Sequence, residues 1–536
     1  MLFTSYSFIA FLALLFAAYF LSYGKSGKAQ WIVLLVGSLV FYAFAGIECF
    51  IFIGFTTVSA YVISRLMHRV KCREDEFVAA NRDTMDKEAR KAYRASSKKR
   101  RLTILIVGLA LNFGVLAVLK YTAFAVNNVN SIIYMFGGKG MDIPDLLLPM
   151  GISFYTFQTM GYLIDVYRAK VEPEKNIAKL ALFVSFFPQL VQGPISRFGE
   201  LSAQLTSPHR FNGKQFTFGL QRILWGYFKK LVIADRVLVA MKTLLEVDDS
   251  GEYIYKGVYV MLLILLYSIQ IYADFTGGID ITIGIAEAMG IKLAENFDRP
   301  FSSRSTKEYW RRWHITMGTW FKDYIFTPLV PTKPMMKLNK ALTGKFGRKF
   351  ASKTVAYLAS AVTWFVTGIW HGAGWNFIVW GMLNFLVIVV SENLEPLYEK
   401  FHNKFPRLTG SAAYGKFMSV RTFLLMGLIR SLDCYRNVGL TFLMWGSMFT
   451  VAGAKDMFTG GIFRLGLSPA DFIIVLGAVL VVYAVSRAGV KGSVREWLYS
   501  RPFVSAALCG ALFVTTVLLG AYGVGYDASQ FIYNQF

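Results

Sequence analysis

The sequence predicts an all-α polytopic membrane protein, and three observations carry that prediction. At 536 residues, 55% hydrophobic and 16% aromatic, the chain is more apolar than the core of a soluble protein requires. Apolar runs recur at the length a helix needs to cross hydrocarbon, about 17 to 25 residues. The basic residues collect between these runs rather than within them.

In chain order, the candidate spans are residues 2–21, 31–45, 50–63, 102–126, 146–166, 258–275, 355–369, 376–390, 472–486 and 503–522. The first has no positive leader and no small-residue cleavage site, so it reads as a permanent helix. Residues 181–191 are too short and too close to proline to span, and read as a re-entrant piece. Residues 215–237 and 421–451 are apolar but interrupted by Arg222, Lys229, Lys230, Arg430, Asp433 and Arg436, which leaves their placement open. The expected total is about ten to twelve transmembrane helices, with re-entrant and interfacial helices besides.

Orientation follows from charge. The loop at 65–101, ending Lys98-Lys99-Arg100-Arg101, belongs in the cytoplasm. Counting three spans back places the N-terminus outside. Arg487, Lys491, Arg495 and Arg501 mark another inner loop before the last span, which places the C-terminal tail outside and makes the number of spans even. One membrane domain accounts for residues 1–522, with its motif-bearing core at 256–390, and residues 523–536 form an extracytoplasmic tail.

The net charge of +24 does not indicate nucleic acid, because the basic residues sit in short loops where lipid head groups and orientation explain them. A phosphate-rich cytoplasmic cofactor is a better use for part of this charge. Cys49, Cys72, Cys434 and Cys509 are scattered and show neither disulfide nor zinc spacing.

Two of the five histidines lie in tryptophan-rich segments. A group that titrates near neutrality is costly to place at membrane depth, which makes these two the lead to function. On a continuous helix over 307–324, Trp310, Trp313, Met317, Trp320, Phe321 and Tyr324 share one face with His314, opposite Glu308, Arg311, Arg312, Lys322 and Asp323. Alone, such a histidine is commonly just hydrogen-bonded to a carbonyl. His371 follows an apolar helix ending Ile369-Trp370 and precedes Gly372-Ala-Gly374, with a second apolar helix starting near Trp375. Glycines there permit a helix break and close backbone approach. The alternative is a plain hairpin turn. Neither histidine has a metal-ligand spacing, so no metal and no permanently bound cofactor is expected. A neutral imidazole in a dry pocket takes a proton from a hydroxyl that attacks an ester or thioester, so acyl transfer is the natural chemistry.

Asp274 and Asp280 end a long apolar run at two glycines, where a charge needs a partner. A structural carboxylate bonded to an arginine such as Arg299 or Arg304 is the plainer reading of each.

These motifs look familiar. Asp274-Phe-Thr-Gly-Gly-Ile-Asp280, Glu295-Asn-Phe-Asp-Arg-Pro-Phe301, Tyr309-Trp-Arg-Arg-Trp-His314, Trp320-Phe-Lys-Asp-Tyr-Ile-Phe326 and Trp370-His371-Gly with Trp380-Gly381 resemble the bacterial branch of the membrane-bound O-acyltransferase family. The likeness runs in order from about residue 1 to 390 and is weaker beyond Glu392. It departs at Thr276-Gly277-Gly278-Ile279, where relatives more often show Ser or Ala, then Gly-Tyr-Ser. The resemblance implies a ring of helices around a central tunnel, with His371 as catalytic histidine and His314 as its partner. It makes Asp274, Asp280, Trp310, Arg311, Trp313, Trp370, Trp375 and Asn376 tunnel wall or scaffold. It also implies that an acyl group from a cytoplasmic thioester, acetyl-CoA first among them, crosses the membrane to a cell-envelope polysaccharide.

The tail ends Phe531-Ile-Tyr-Asn-Gln-Phe536, which resembles the ending of a small membrane peptide that works with teichoic-acid members of that branch. Carried over, Tyr533 is a candidate acyl carrier; the alternative is an aromatic anchor at the outer interface. The chain shows no Gly-x-Ser-x-Gly elbow, so an extracytoplasmic esterase-like (SGNH-type) partner is expected to complete the transfer. Two other classes stay open: an acyl or lipid translocator without covalent catalysis, and direct acylation of a membrane lipid.

Overall fold

The computed structural model describes residues 3–24, 27–450 and 452–522. The tail expected at 523–536, with Tyr533, lies outside them. The protein is 77% helical and has no strand among the described residues, only isolated bridges such as Phe297 with Trp313. Six described helices are long and apolar enough to cross a membrane: Cys49–Ala80, Lys87–Met135, Val258–Ala288, Trp375–Asn393, Pro469–Ala488 and Pro502–Leu519. Four shorter apolar helices accompany them, Tyr6–Leu21, Gln30–Ala43, Ile177–Gln192 and Val438–Ser447. The protein is a multi-pass membrane protein.

One expectation about an individual element changes, and one segment left open takes a definite form. The basic stretch at 65–101 is not a loose loop: Cys49–Ala80 and Lys87–Met135 carry it as helix, with a turn between them. At about 1.5 Å per residue, these helices of 32 and 49 residues outrun a hydrocarbon core of about 30 Å, so their charged ends stand clear of it. The charged run at 215–237 also stays helical. It passes from Gly213–Tyr227 through a π-helical turn at Phe228–Ala234 into Asp235–Leu244.

The chain divides into two compact units, residues 1–217 with 285–294, and residues 218–284 with 295–536. In the first, the predicted re-entrant piece is a buried, broken helix, Ile177–Ser185 then Phe187–Gln192, with Pro188 in the first turn of the second part. Phe187 meets the edges and faces of Phe11 and Phe41, each with centroids 5.4 Å away. Asn112 donates to Ser59 Oγ at 3.0 Å and ties the two longest helices of the unit together.

The second unit is organised by two helices that cross at very short range. A Cβ on Gly226 would meet the Gly277 carbonyl oxygen at 2.6 Å, and one on Gly277 would meet the Gly226 oxygen at 2.9 Å, so only glycine fits at this crossing. The Val258–Ala288 helix therefore runs unbroken through the two glycines. Gly277 is a contact point rather than a break. The closeness lets side chains on the π turn pair across the crossing. Lys230 Nζ lies 2.6 Å from Asp274 and 2.7 Å from Asp235, and Lys229 Nζ lies 2.5 Å from Asp280 and donates to Thr276 at 2.8 Å. Arg222 completes the set, 2.9 Å from Asp280 and 2.6 Å from Glu295. The partners of Asp274 and Asp280 are thus Lys230, Lys229 and Arg222. Arg299 pairs instead with Asp298, and Arg304 lies against Gly415. The fully buried pair predicts that Lys230→Met lowers stability by about 3 to 5 kcal/mol, because Asp274 is left charged and buried. Thermal unfolding in detergent checks this, and adding Asp274→Leu should recover part of the loss.

Candidate active site

Both tryptophan-rich segments lie in the second unit. The first is not the continuous amphipathic helix its periodicity predicts. Thr306–Arg312 ends at Trp313, His314 takes a left-handed backbone (φ 49°, ψ 52°), and Ile315–Phe321 starts a new helix that passes into a π turn at Lys322–Phe326. A left-handed backbone is uncommon for a residue with a Cβ and persists only where the surroundings hold it.

What holds it is the segment Glu295 to Asp298. Ile315 N–H donates to Asn296 O at 3.0 Å and Asp298 N–H donates to Arg312 O at 2.9 Å, so the two stretches pair like a fragment of sheet. The Asn296 side chain then enters the gap. Its Oδ1 accepts from Thr316 N–H at 3.0 Å and Thr316 Oγ1 at 2.9 Å, and faces His314 Nδ1 at 3.3 Å. This contact assigns the tautomer. A backbone N–H can only donate, so the Asn296 atom is the oxygen, and the His314 Nδ1 facing it carries the proton. In the neutral ring, Nε2 is therefore the lone-pair nitrogen. His314 is buried, with its ring edge-on to Phe275 at 4.8 Å.

His371 is the last residue of Arg348–His371, and the next helix, Trp375–Asn393, begins after the extended residues Gly372 and Gly374. The two helices pack closely because a Cβ on Gly368 would meet the Phe377 carbonyl oxygen at 2.5 Å, and one on Gly381 would strike that of Trp364. This close packing sets the half-buried His371 ring against Trp380, 4.6 Å away, and Trp370, 5.0 Å away.

Trp370 joins the two segments. Its ring lies edge-on to both imidazoles, 6.0 Å from His314 and 5.0 Å from His371. The rest of the aromatic wall is locked by polar bonds. Trp310 stands 5.6 Å from Trp380 and donates from Nε1 to Asn384 at 3.1 Å, and Asn384 donates to Trp380 O at 2.8 Å. Trp313 is buried under the Arg430 guanidinium, 4.0 Å from the ring centroid, and Arg430 also donates to Tyr309 Oη at 3.1 Å.

Of the residues singled out in the sequence, His314, His371, Trp310, Trp313 and Trp370 come together. Asn376 is buried at the start of the helix after His371. Arg311 is exposed and Trp375 is 58% exposed. Asp274 and Asp280 belong to the ion-pair network, with Asp274 next to the Phe275 that touches His314. Sequence reasoning missed Asn296, Arg430 and Trp380 as parts of the site. Asn296 and Trp380 sat inside motifs already noted, and Arg430 was visible as a charge in an apolar run. No group of three or more potential metal ligands occurs among the described residues.

Comparison with known proteins bears on what this arrangement is for. Residues 174–432 match MBOAT, the membrane-bound O-acyltransferase family. The chain is 30% identical over 427 residues to the peptidoglycan O-acetyltransferase of Helicobacter pylori, covering 74% of this chain and 72% of that protein. This chain belongs to the membrane-bound O-acyltransferase family. It is also 32% identical over 385 residues to the protein described as probable alginate O-acetylase AlgI of Azotobacter vinelandii, covering 71% of this chain and 66% of that one. To the teichoic acid D-alanyltransferase of Streptococcus thermophilus it is 29% identical over 252 residues, 46% of this chain and 57% of that one. The chain spans 66% and 60% of the length of two of the alginate relatives it matches.

Asn296 carries the local prediction. Asn296→Leu strips acceptors from the buried Thr316 N–H and hydroxyl, at about 1 to 3 kcal/mol for each stranded group. The variant should melt clearly below the parent in detergent, and Asn296→Asp, which keeps an acceptor oxygen, should lie between them.

Proposed function

We propose that this protein is a membrane O-acetyltransferase of the bacterial cytoplasmic membrane that serves O-acylation of a cell-envelope polysaccharide. The observation that carries the reading is the pair of imidazoles sharing Trp370, one of them held by Asn296 in a fixed tautomer. The names of the alginate and peptidoglycan relatives support the acetyl group and the polysaccharide acceptor.

In this reading, acetyl-CoA is the cytoplasmic donor and approaches from the basic inner face. His371 is the general base: it takes the proton of an attacking hydroxyl as that oxygen bonds to the thioester carbonyl carbon, and the thiolate of the donor leaves. His314 orients the donor by accepting one of its N–H or O–H groups at Nε2, a role that fits the assigned tautomer better than donation to an oxyanion. The aromatic walls keep water from hydrolysing the activated acyl group. The hydroxyl is that of Tyr533, whose unperturbed pKa of about 10 makes a base necessary at neutral pH. The acyl-tyrosine ester is then handed to an extracytoplasmic SGNH or esterase-like partner, which acylates the polymer. In this reading the N-terminus and tail face outward, an orientation that the basic loops support.

Intact-protein mass spectrometry after incubation with isotope-labelled acetyl-CoA tests this reading. One acetyl adduct is expected on the parent, none on Tyr533→Phe, and its formation should slow by roughly 10²- to 10⁴-fold in His371→Ala. Normal polymer acetylation in cells carrying Tyr533→Phe would remove the carrier step. An adduct formed at full rate by His371→Ala would remove the base.

A further inference from the structure

The Pro502–Leu519 helix is held at its ends and not along its body. Near its start, Gln221 Nε2 donates to Ser505 Oγ at 3.1 Å. At its finish, Arg236 donates to Leu519 O at 2.5 Å and Ala521 N–H donates to Leu231 O at 2.8 Å. Between these pins only Thr516 is buried. The body stands away from the Pro469–Ala488 helix and leaves a cavity of about 500 Å³. Its walls are mostly apolar, with Leu508, Cys509 and Leu512 on one side and Val481 and Val485 on the other. A gap of this size between two lipid-facing helices forfeits the dispersion contacts that close-packed interiors make, unless something apolar fills it. Its volume lies in the range of small-ligand sites.

One end of the cavity is polar, and there Gln221 and the ion-paired Arg222, Asp280 and Glu295 form part of the lining, the two carboxylates being matched by Arg222 at 2.9 and 2.6 Å. Ser493 and Arg495 also line the cavity, and Arg495 is set over the Phe218 ring at 5.1 Å while donating to Phe218 O at 3.4 Å. Arg495 belongs to a connection that carries Arg487, Lys491, Arg495 and Arg501 against a single acid, Glu496. The short helix there, Val494–Tyr499, also exposes Trp497 and Tyr499, the residue types that settle at head-group level. An apolar slot that opens on a basic, aromatic interface matches an amphiphile with a hydrocarbon chain and a phosphate. We infer that this cavity is a binding site for an anionic phospholipid, which lays one acyl chain between the last two membrane helices and its phosphate beside Arg495 and Ser493. The site is separate from the histidine pair and does not depend on the acyl-transfer reading.

The test uses the full-length protein in lipid nanodiscs doped with either phosphatidylglycerol or phosphatidylcholine carrying a diazirine in one acyl chain, with cross-linked peptides mapped by mass spectrometry after illumination. The expected result is cross-linking at 481–485 and 508–512 that favours phosphatidylglycerol. Arg495→Gln should cut the phosphatidylglycerol signal roughly fivefold, the weight of one basic residue at a membrane surface. Leu512→Trp, which fills the slot, should abolish cross-linking at 508–512 and leave labelling of other outward helix faces unchanged. If Leu512→Trp does not fold, the lipid preference and Arg495→Gln decide the matter. Labelling spread evenly over the outward faces of the two helices, or equal for both lipids and indifferent to Arg495→Gln, would overturn the inference.

Discussion

Where the chain leaves the helix at Trp313 and His314, several backbone groups lose their intrahelical partners inside the protein, where water does not replace them. The Asn296 residue resolves this. Its backbone carbonyl takes Ile315 N–H, and its side-chain oxygen takes Thr316 N–H and hydroxyl and faces His314 Nδ1. The same contacts that make the left-handed turn tolerable also choose which nitrogen of His314 carries the proton. Structure and chemistry are therefore set by one side chain, and the rest of the site is arranged around the ring it holds.

The ion pairs at the helix crossing serve this arrangement at one remove. Asp274 is clamped to Lys230, and the next residue, Phe275, packs its ring edge against His314. The approach of Gly226 to Gly277 brings the lysines of the π turn within reach of these carboxylates. A buried ion pair adds little net stability, but it is costly to break and so selects one register of the two helices. On the other side, the hairpin around His371 is positioned by its own glycine contacts and by Trp310, Trp380 and Asn384. Trp370 is where the two halves of the site meet.

Much of this was legible in the sequence. Apolar run length identified the helical membrane class, glycine placement located the helix end at His371, and tryptophan clustering picked out both histidines. The break at His314 was hidden because the aromatic residues of 307–324 follow the helical period on both sides of it, and periodicity carries no record of a single left-handed residue. The partners of Asp274 and Asp280 were misjudged for a related reason. Arg299 and Arg304 are near in sequence, whereas Lys229, Lys230 and Arg222 arrive through a long-range crossing. The role of Asn296 was invisible because an asparagine in a polar motif shows nothing of what its amide oxygen accepts. The basic stretch at 65–101 looks like a loop in the sequence because charge interrupts the apolar run, but charge marks only where hydrocarbon stops and not where helix stops.

The account rests on the claim that Asn296 presents His314 to the site with Nδ1 protonated and Nε2 unprotonated. Nitrogen-15 NMR of the side chains in protein labelled only at histidine, with His314→Gln for assignment, reads this directly at neutral pH. A neutral ring protonated at Nδ1 is expected for His314, shifting towards mixed tautomers in Asn296→Leu. A ring protonated at Nε2 in the parent protein would contradict the account.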